Sequence, residues 1–162
     1  MNPRTILGTS MFVLVCIIMA IPSAAKATST RTFPASGCVP ANSNVTFTSI
    51  YQWTNNLTIG NSSVICPLVS DPTVSISAGT ASVTANGWDN FASASEVRVC
   101  RQPVAGGTFN CGGWSSGTSA GAWSLSPTIP TLSAGDYVFL EVSLGPPMGG
   151  GYCTFWGYTL SN

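Results

Sequence analysis

Four carboxylates, Asp89, Glu96, Asp136 and Glu141, are the groups best suited to acid–base chemistry in a chain with no histidine. Two such groups about 5 to 9.5 Å apart across a cleft can hydrolyse a glycosidic bond, one as acid and one as base or nucleophile. Their settings argue against that use. Asp136 follows Gly135 in a turn-like stretch, and Asp89 stands between Trp88 and Asn90, both ordinary solvated loop positions. Glu141 is flanked by apolar residues in a strand-like run, where it is expected to face solvent or to pair with Arg98 or Arg101. Gly117-Thr118-Ser119-Ala120-Gly121 matches the nucleophile elbow of serine hydrolases letter by letter. That motif needs a strand-to-helix turn and a histidine to take the serine proton, and neither is available here. Asp71, Asp89 and Asn90 could offer oxygen to calcium, but no D-x-D spacing gathers them. With no histidine and no Cys-x-x-Cys, no metal or other cofactor is expected, and the chain reads as a non-enzyme.

Aromatic residues carry more information: five Trp, four Tyr and seven Phe. Trp88 follows Asn86-Gly87, Trp114 follows Gly112-Gly113 and Trp123 comes just after Gly121, so each lies beside a turn signal. A tryptophan exposed among Asn, Ser and Gly offers a flat apolar surface with short hydrogen-bonding groups around it. A sugar ring needs both, the surface for its C–H face and the polar groups for its hydroxyls. Trp88, Trp114 and Trp123, with Asp89, Asn90 and Asn110, are therefore the candidate ligand-binding residues, and a glycan or surface polysaccharide is the candidate partner. The competing expectation is a structural or assembly protein of the matrix or envelope with no small ligand, joined through sheet edges or as a homodimer through an unpaired cysteine.

The amino terminus reads as a secretory signal peptide over 1–27. Arg4 supplies the positive region, Ile6 to Ile21 the apolar region, and Ala25-Lys26-Ala27 the small-residue cleavage pattern. The apolar run falls short of the roughly 20 residues that a stable membrane span needs. Lipidation at Cys16 is disfavoured, because Val15 before it is branched and Ile17 to Ala20 after it are apolar. Cleavage after Ala27 leaves 135 residues, enough for one domain, outside the cytoplasm or held at the periplasm or cell surface. Of the charges, only Arg31, Arg98 and Arg101 then face Asp71, Asp89, Glu96, Asp136 and Glu141. With no basic run, phosphate-driven nucleic-acid binding has no source.

Secretion also permits disulfides. Cys38, Cys66, Cys100, Cys111 and Cys153 follow the signal, an odd number, so one thiol is left over. Cys100 with Cys111 is the first expected pair, across a hairpin turn containing Pro103, Gly106 and Gly107. Cys38 with Cys66 is favoured for the second, leaving Cys153 free, and Cys66 with Cys153 is the alternative. Asn44, Asn56 and Asn61 stand in N-x-[ST] sequons, which a eukaryotic secretory route would glycosylate; in a bacterial host they are a by-product of Asn, Ser and Thr richness, which is the favoured reading.

The elements that must position these groups are strands. Residues 28–44 read as an extended lead-in and 45–162 as the folded domain. Val45, Phe47, Tyr51 and Trp53 alternate along a first strand, Ser63 to Val69 form a second ended by Asp71-Pro72, and Val74 and Ile76 mark a third. Ala81, Val83 and Ala85 follow, ended by Asn86-Gly87, and then Val97 and Val99 alternate with Glu96 and Arg98. Val138, Leu140, Val142 and Leu144 point one way and Tyr137, Phe139 and Glu141 the other, before a closing strand from Tyr152 to Leu160. About eight short strands at such spacing predict a single antiparallel β-sandwich, Ig-like or jelly-roll-like and stapled by disulfides.

Asn61-Ser62-Ser63-Val64-Ile65-Cys66-Pro67-Leu68, the run Val97 to Cys100, and Gly157-Tyr158 together resemble small secreted β-sandwich proteins of myxobacterial type. The resemblance implies a β-sandwich and an extracellular address, and no activity. Such proteins commonly carry a cysteine in the penultimate strand, where this chain has Glu141-Val142-Ser143-Leu144, so the resemblance leaves the disulfide pairing open.

Overall fold

Apolar–polar alternation turns most of the described chain into strands. The structure is a computed structural model and describes residues 29–48, 52–56, 60–68, 76, 81–90, 94–146 and 151–162. The expected signal segment with Cys16, and Tyr51, Asp71-Pro72 and Val74, lie outside the described residues. In chain order the strands are β1 (Thr30–Pro34), β2 (Val39–Pro40), β3 (Val45–Phe47), β4 (Trp53–Asn55), β5 (Ser62–Pro67) and β6 (Ser82–Asp89). They continue as β7 (Ser95–Gln102), β8 (Asn110–Cys111), β9 (Ser115–Gly117), β10 (Gly121–Leu125), β11 (Tyr137–Leu144) and β12 (Cys153–Ser161), with one 3-10 turn at Ala35–Gly37.

Among the described residues all pairings are antiparallel and form two six-stranded sheets packed as a sandwich. The first sheet runs β10-β6-β12-β4-β3, with β1 also on β12; the second runs β2-β5-β11-β7-β8, with β9 also on β7. The expected fold class holds, with more and shorter strands than the alternation suggested. The run from Val45 to Trp53 is two strands rather than one, with Phe47 opposite Trp53. Period-two spacing continues across a chain reversal, so the pattern could not reveal the turn. The expected lead-in is extended, yet it belongs to the sandwich: β1 pairs with β12 and β2 with β5.

Asn86-Gly87 is not a turn, because β6 runs through it to Asp89. A Cβ at Gly87 would stand 2.1 Å from both Thr154 O and the Trp123 ring, so the glycine is there to admit that ring. Ile65 faces outward from β5, while Val64 and Cys66 face the core beside Val142, Leu140, Val97 and Val99. Val83, Ala85, Phe155, Tyr158 and Leu160 meet them from the first sheet. Hydrogen bonds from Asn55 and Tyr158 cross this interior. Asn55 Nδ2 on β4 donates to Leu144 O and Gly145 O at 2.9 Å, and the Tyr158 hydroxyl on β12 donates to Pro67 O at 2.8 Å. Buried polar groups satisfied in this way fix which sheet faces which.

Both favoured disulfides are present, Cys38–Cys66 and Cys100–Cys111, and Cys153 is free. Cys153 is wholly buried beside Ser95, whose hydroxyl lies 2.9 Å from its sulfur. The expected disulfide-linked homodimer through this residue finds no support, because its sulfur is not exposed in the folded chain. Burial pushes the Cys153 thiol up to about 11 from an ordinary 9.0, and the Tyr158 hydroxyl up to about 12 from 10.0.

Two outcomes are expected. Gly87→Ala should destabilise the fold by roughly 1–3 kcal/mol or more through overpacking, read by chemical denaturation. In alkali the unfolded chain gives up these two protons first and so binds fewer than the native state, so stability must fall as pH rises. The thermal midpoint should hold up to pH 9.0 and then drop, and Cys153→Ala should remove the part of the drop between pH 9.0 and about 11.

Candidate functional site

On the outer face of the first sheet, three exposed aromatic rings gather around one shallow hollow. β6 alternates so that Val83, Ala85, Gly87 and Asp89 point inward and Trp88 points out. On the neighbouring β12 the register slips by one residue between Phe155 and Gly157, which makes Trp156 the extra residue of a β-bulge. Phe155 and Tyr158 both face the core on either side of it, and Trp156 is left facing outward. The Trp88 and Trp156 rings lie 6.5 Å apart and 23° from parallel. Tyr152 stands just before β12 and is 47% exposed, against 39% for Trp88 and 43% for Trp156.

The hollow between these rings measures about 240 Å³ and is completed by Gln52 and Thr154. Thr154 lies opposite Trp88 in the ladder and is fully buried beneath the rings, its hydroxyl donating to Trp88 O at 3.3 Å. Each indole is held by its own N–H. Trp88 Nε1 donates to Asn90 Oδ1 at 2.6 Å, and Trp156 Nε1 donates to Gln52 Oε1 at 3.0 Å. Because both amide oxygens are spent on the rings, Asn90 Nδ2 and Gln52 Nε2 remain as donors beside them. A second hollow of about 300 Å³ lies on the other side of Trp156, bordered by Thr32, Phe33, Pro34 and Asn86. The residues named on this face are all uncharged. Rigid aromatic rings flanked by amides and hydroxyls can cover the C–H face of a polyol and hydrogen-bond its oxygens.

The expected ligand set divides in the structure. Trp88 and Asn90 belong to this surface. Trp123 does not: β10 turns it inward, where it is 7% exposed, packs over Gly87 and stacks on Phe155 at 6.4 Å. Its removal from the set is a correction, and the cause is the missing Cβ at Gly87, which gives the ring a place in the core. Asp89 is also turned inward and is 2% exposed, contrary to the solvated loop position expected for it. Trp114 and Asn110 lie on the opposite sheet, Trp114 just before β9 and exposed Asn110 on β8 beside Arg101. Gln52, Tyr152, Thr154 and Trp156 were missed. A usable signal for Trp156 was Gly157, since a glycine inside a strand often marks a bulge.

The located carboxylates are each engaged. Glu141 pairs with Arg98 at 2.7 Å, one of the three outcomes expected for it, Glu96 accepts from Ser116, and Asp136 pairs with Arg101 at 2.7 Å. The Arg101 hydrogen bond, helped by the Ser133 backbone N–H, holds the Asp136 carboxyl below the usual carboxylate range. Gly117 to Gly121 links β9 to β10 across the two sheets, with no helix after it. Among the described residues no three His, Cys, Asp or Glu side chains gather in a way that could hold a metal ion.

No family model matches the chain, and no curated protein does. Solved structures share the fold, among them two carbohydrate-binding domains. One is the CBM36-1 domain of a multidomain xylanase from the hindgut metagenome of Trinervitermes trinervoides, with 10% identity and a TM-score of 0.51 over 83% of this chain and 97% of that one. The other is a CBM36 carbohydrate-binding module in complex with calcium and xylotriose, with 12% identity and a TM-score of 0.51 over 82% and 99%. At such identities the likeness is one of fold.

Gly157 has φ +146°, and a Cβ there would stand 2.3 Å from Phe33 O on β1. Gly157→Ala should therefore displace β1 and disturb the bulge. The expected result is a lower thermal midpoint together with a changed tryptophan emission from Trp156, whereas Gly60→Ala, which meets open space but has φ +92°, should leave the emission unchanged.

Proposed function

We propose that this protein is a secreted, non-enzymatic carbohydrate-binding module whose contact surface is the Trp88–Trp156–Tyr152 face. The observation that carries the reading is the pair of near-parallel, half-exposed tryptophans, each locked by an amide whose NH2 group is left to donate. A preset platform costs a ligand little ordering, and its neutral character suits an uncharged sugar polymer. The CBM36 fold of the two similar structures, one of them bound to xylotriose, supports the same class of ligand. Asn90 and Gln52 serve as donors to sugar oxygens, Thr154 forms the floor, and the hollow beyond Trp156 makes room for the next unit of a chain.

Secretion is part of the reading. It rests on the signal-like 1–27 segment and on the two disulfides, which form in oxidising compartments. Among the described residues no helix is long and apolar enough to cross a membrane.

The test is a binding screen of the oxidised 28–162 chain against xylotriose, xylan and a panel of other neutral polysaccharides, followed by tryptophan fluorescence. Trp156→Ala and Trp88→Ala should each weaken binding of the responding ligand by roughly 30-fold, about 2 kcal/mol, with the thermal midpoint little changed. Trp123→Phe should alter stability and leave affinity alone. Undiminished binding by both Trp156→Ala and Trp88→Ala would place the site elsewhere.

A further inference from the structure

The outer face of the second sheet holds a different kind of hollow. It measures about 460 Å³, with Phe109 and Phe139 as walls, the Cys100–Cys111 bridge and Ile65 at its base, and Arg98 and Glu141 at its centre. The register explains the grouping. Ile65, Glu141 and Arg98 form one row across β5, β11 and β7, and Phe139 with Cys100 form the next row on the same face.

Arg98 Nε and Nη2 approach Glu141 Oε2 at 2.8 and 2.7 Å, and neither contact uses Glu141 Oε1 or Arg98 Nη1. Both side chains are mostly covered, at 30% and 20% exposure. The guanidinium also lies over the Trp114 ring, 4.2 Å from its centroid, which holds it in place. Phe109 stands edge-on to Phe139 at 5.6 Å and is itself 65% exposed. A fixed donor and a fixed acceptor thus sit side by side against an open aromatic wall.

That combination has a chemical complement. Of two adjacent hydroxyls, one can donate to Glu141 Oε1 while the other accepts from Arg98 Nη1, and the C–H face behind them can rest on Phe109. An anion would meet the Glu141 carboxylate and a cation the Arg98 guanidinium, so the ligand is neutral. We infer that this hollow is a second carbohydrate site, taking a neutral sugar through a vicinal diol. It rests on the carbohydrate reading above and extends it, because the outer faces of a sandwich point in opposite directions. The protein is then bivalent and bridges two polymer chains.

The experiment uses the oxidised 28–162 chain with soluble neutral polysaccharides, including xylan, and reads both binding to immobilised polymer and light scattering from cross-linked polymer. Wild type should do both. Trp88→Ala/Trp156→Ala should still bind, with a loss no smaller than the roughly 30-fold of either single change, and Glu141→Gln should bind about tenfold more weakly through lost avidity; neither should cross-link. Phe109→Ala, at an exposed position where folding is little at risk, should behave as Glu141→Gln does. Complete loss of binding in Trp88→Ala/Trp156→Ala would overturn the second site and leave the first standing. Cross-linking by Glu141→Gln and Phe109→Ala at the wild-type level would overturn it as well. A wild type silent on every polymer would sink the carbohydrate reading itself, and the second site with it.

Discussion

Strand β12 lies inside its sheet, paired with β6 on one edge and with β4 and then β1 on the other, and it carries one residue more than β6 can match. The extra residue changes the phase of the strand. Before the slip Cys153 and Phe155 point inward, and after it Tyr158 and Leu160 do. Without the bulge, a strict alternation would send either the first pair or the second into water. Trp156 is expelled as the unmatched residue, so the packing requirement of the core and the exposure of the platform have one cause. Gly157 makes the conformation possible, and its lack of a side chain also lets β1 close against the strand.

The same strand joins the two sheets. The Tyr158 hydroxyl reaches Pro67 O on β5, and Asn55, on the adjacent β4, reaches the carbonyls at the end of β11. Most of the rest of the interface is apolar, and apolar contact alone is tolerant of sliding. Specific polar ties in a dry interior do not tolerate it, since a shifted sheet would leave each donor unpaired. Cys38–Cys66 adds a covalent hold on the segment that leads from one sheet to the other.

The two outer faces are chemically unlike. The first sheet presents hydroxyl pairs, Thr32 with Thr159, Ser82 with Ser161 and Thr84 with Ser126, around its tryptophans. The second presents the Arg98–Glu141 pair under aromatic cover, with Glu96 on Ser116 in the row beyond. In a chain with so few charges, the concentration of this pair on one face makes that face polar in a directed way, while the residues around the tryptophans on the other are uncharged.

Alternation was enough to read the sandwich, and cysteine spacing the Cys100–Cys111 bridge, because each depends on short-range geometry: which residues share a face, and how far a hairpin reaches. Cys66 stood between Cys38 and Cys153, and Glu141 between solvent, Arg98 and Arg101, until strand pairing decided both. The sequence also showed that tryptophans beside small polar residues would matter. It did not show which of them would reach the surface. Trp123 and Trp156 look equally strand-like in the sequence, yet one fills the space left by Gly87 on a neighbouring strand and the other is pushed out by a bulge. Trp88 and Trp114 look like members of one cluster, yet the crossing of the chain between sheets puts them on opposite faces. Exposure at these positions is set by what the adjoining strand supplies, a missing Cβ or an unmatched residue, and strand adjacency is a property of the tertiary structure alone.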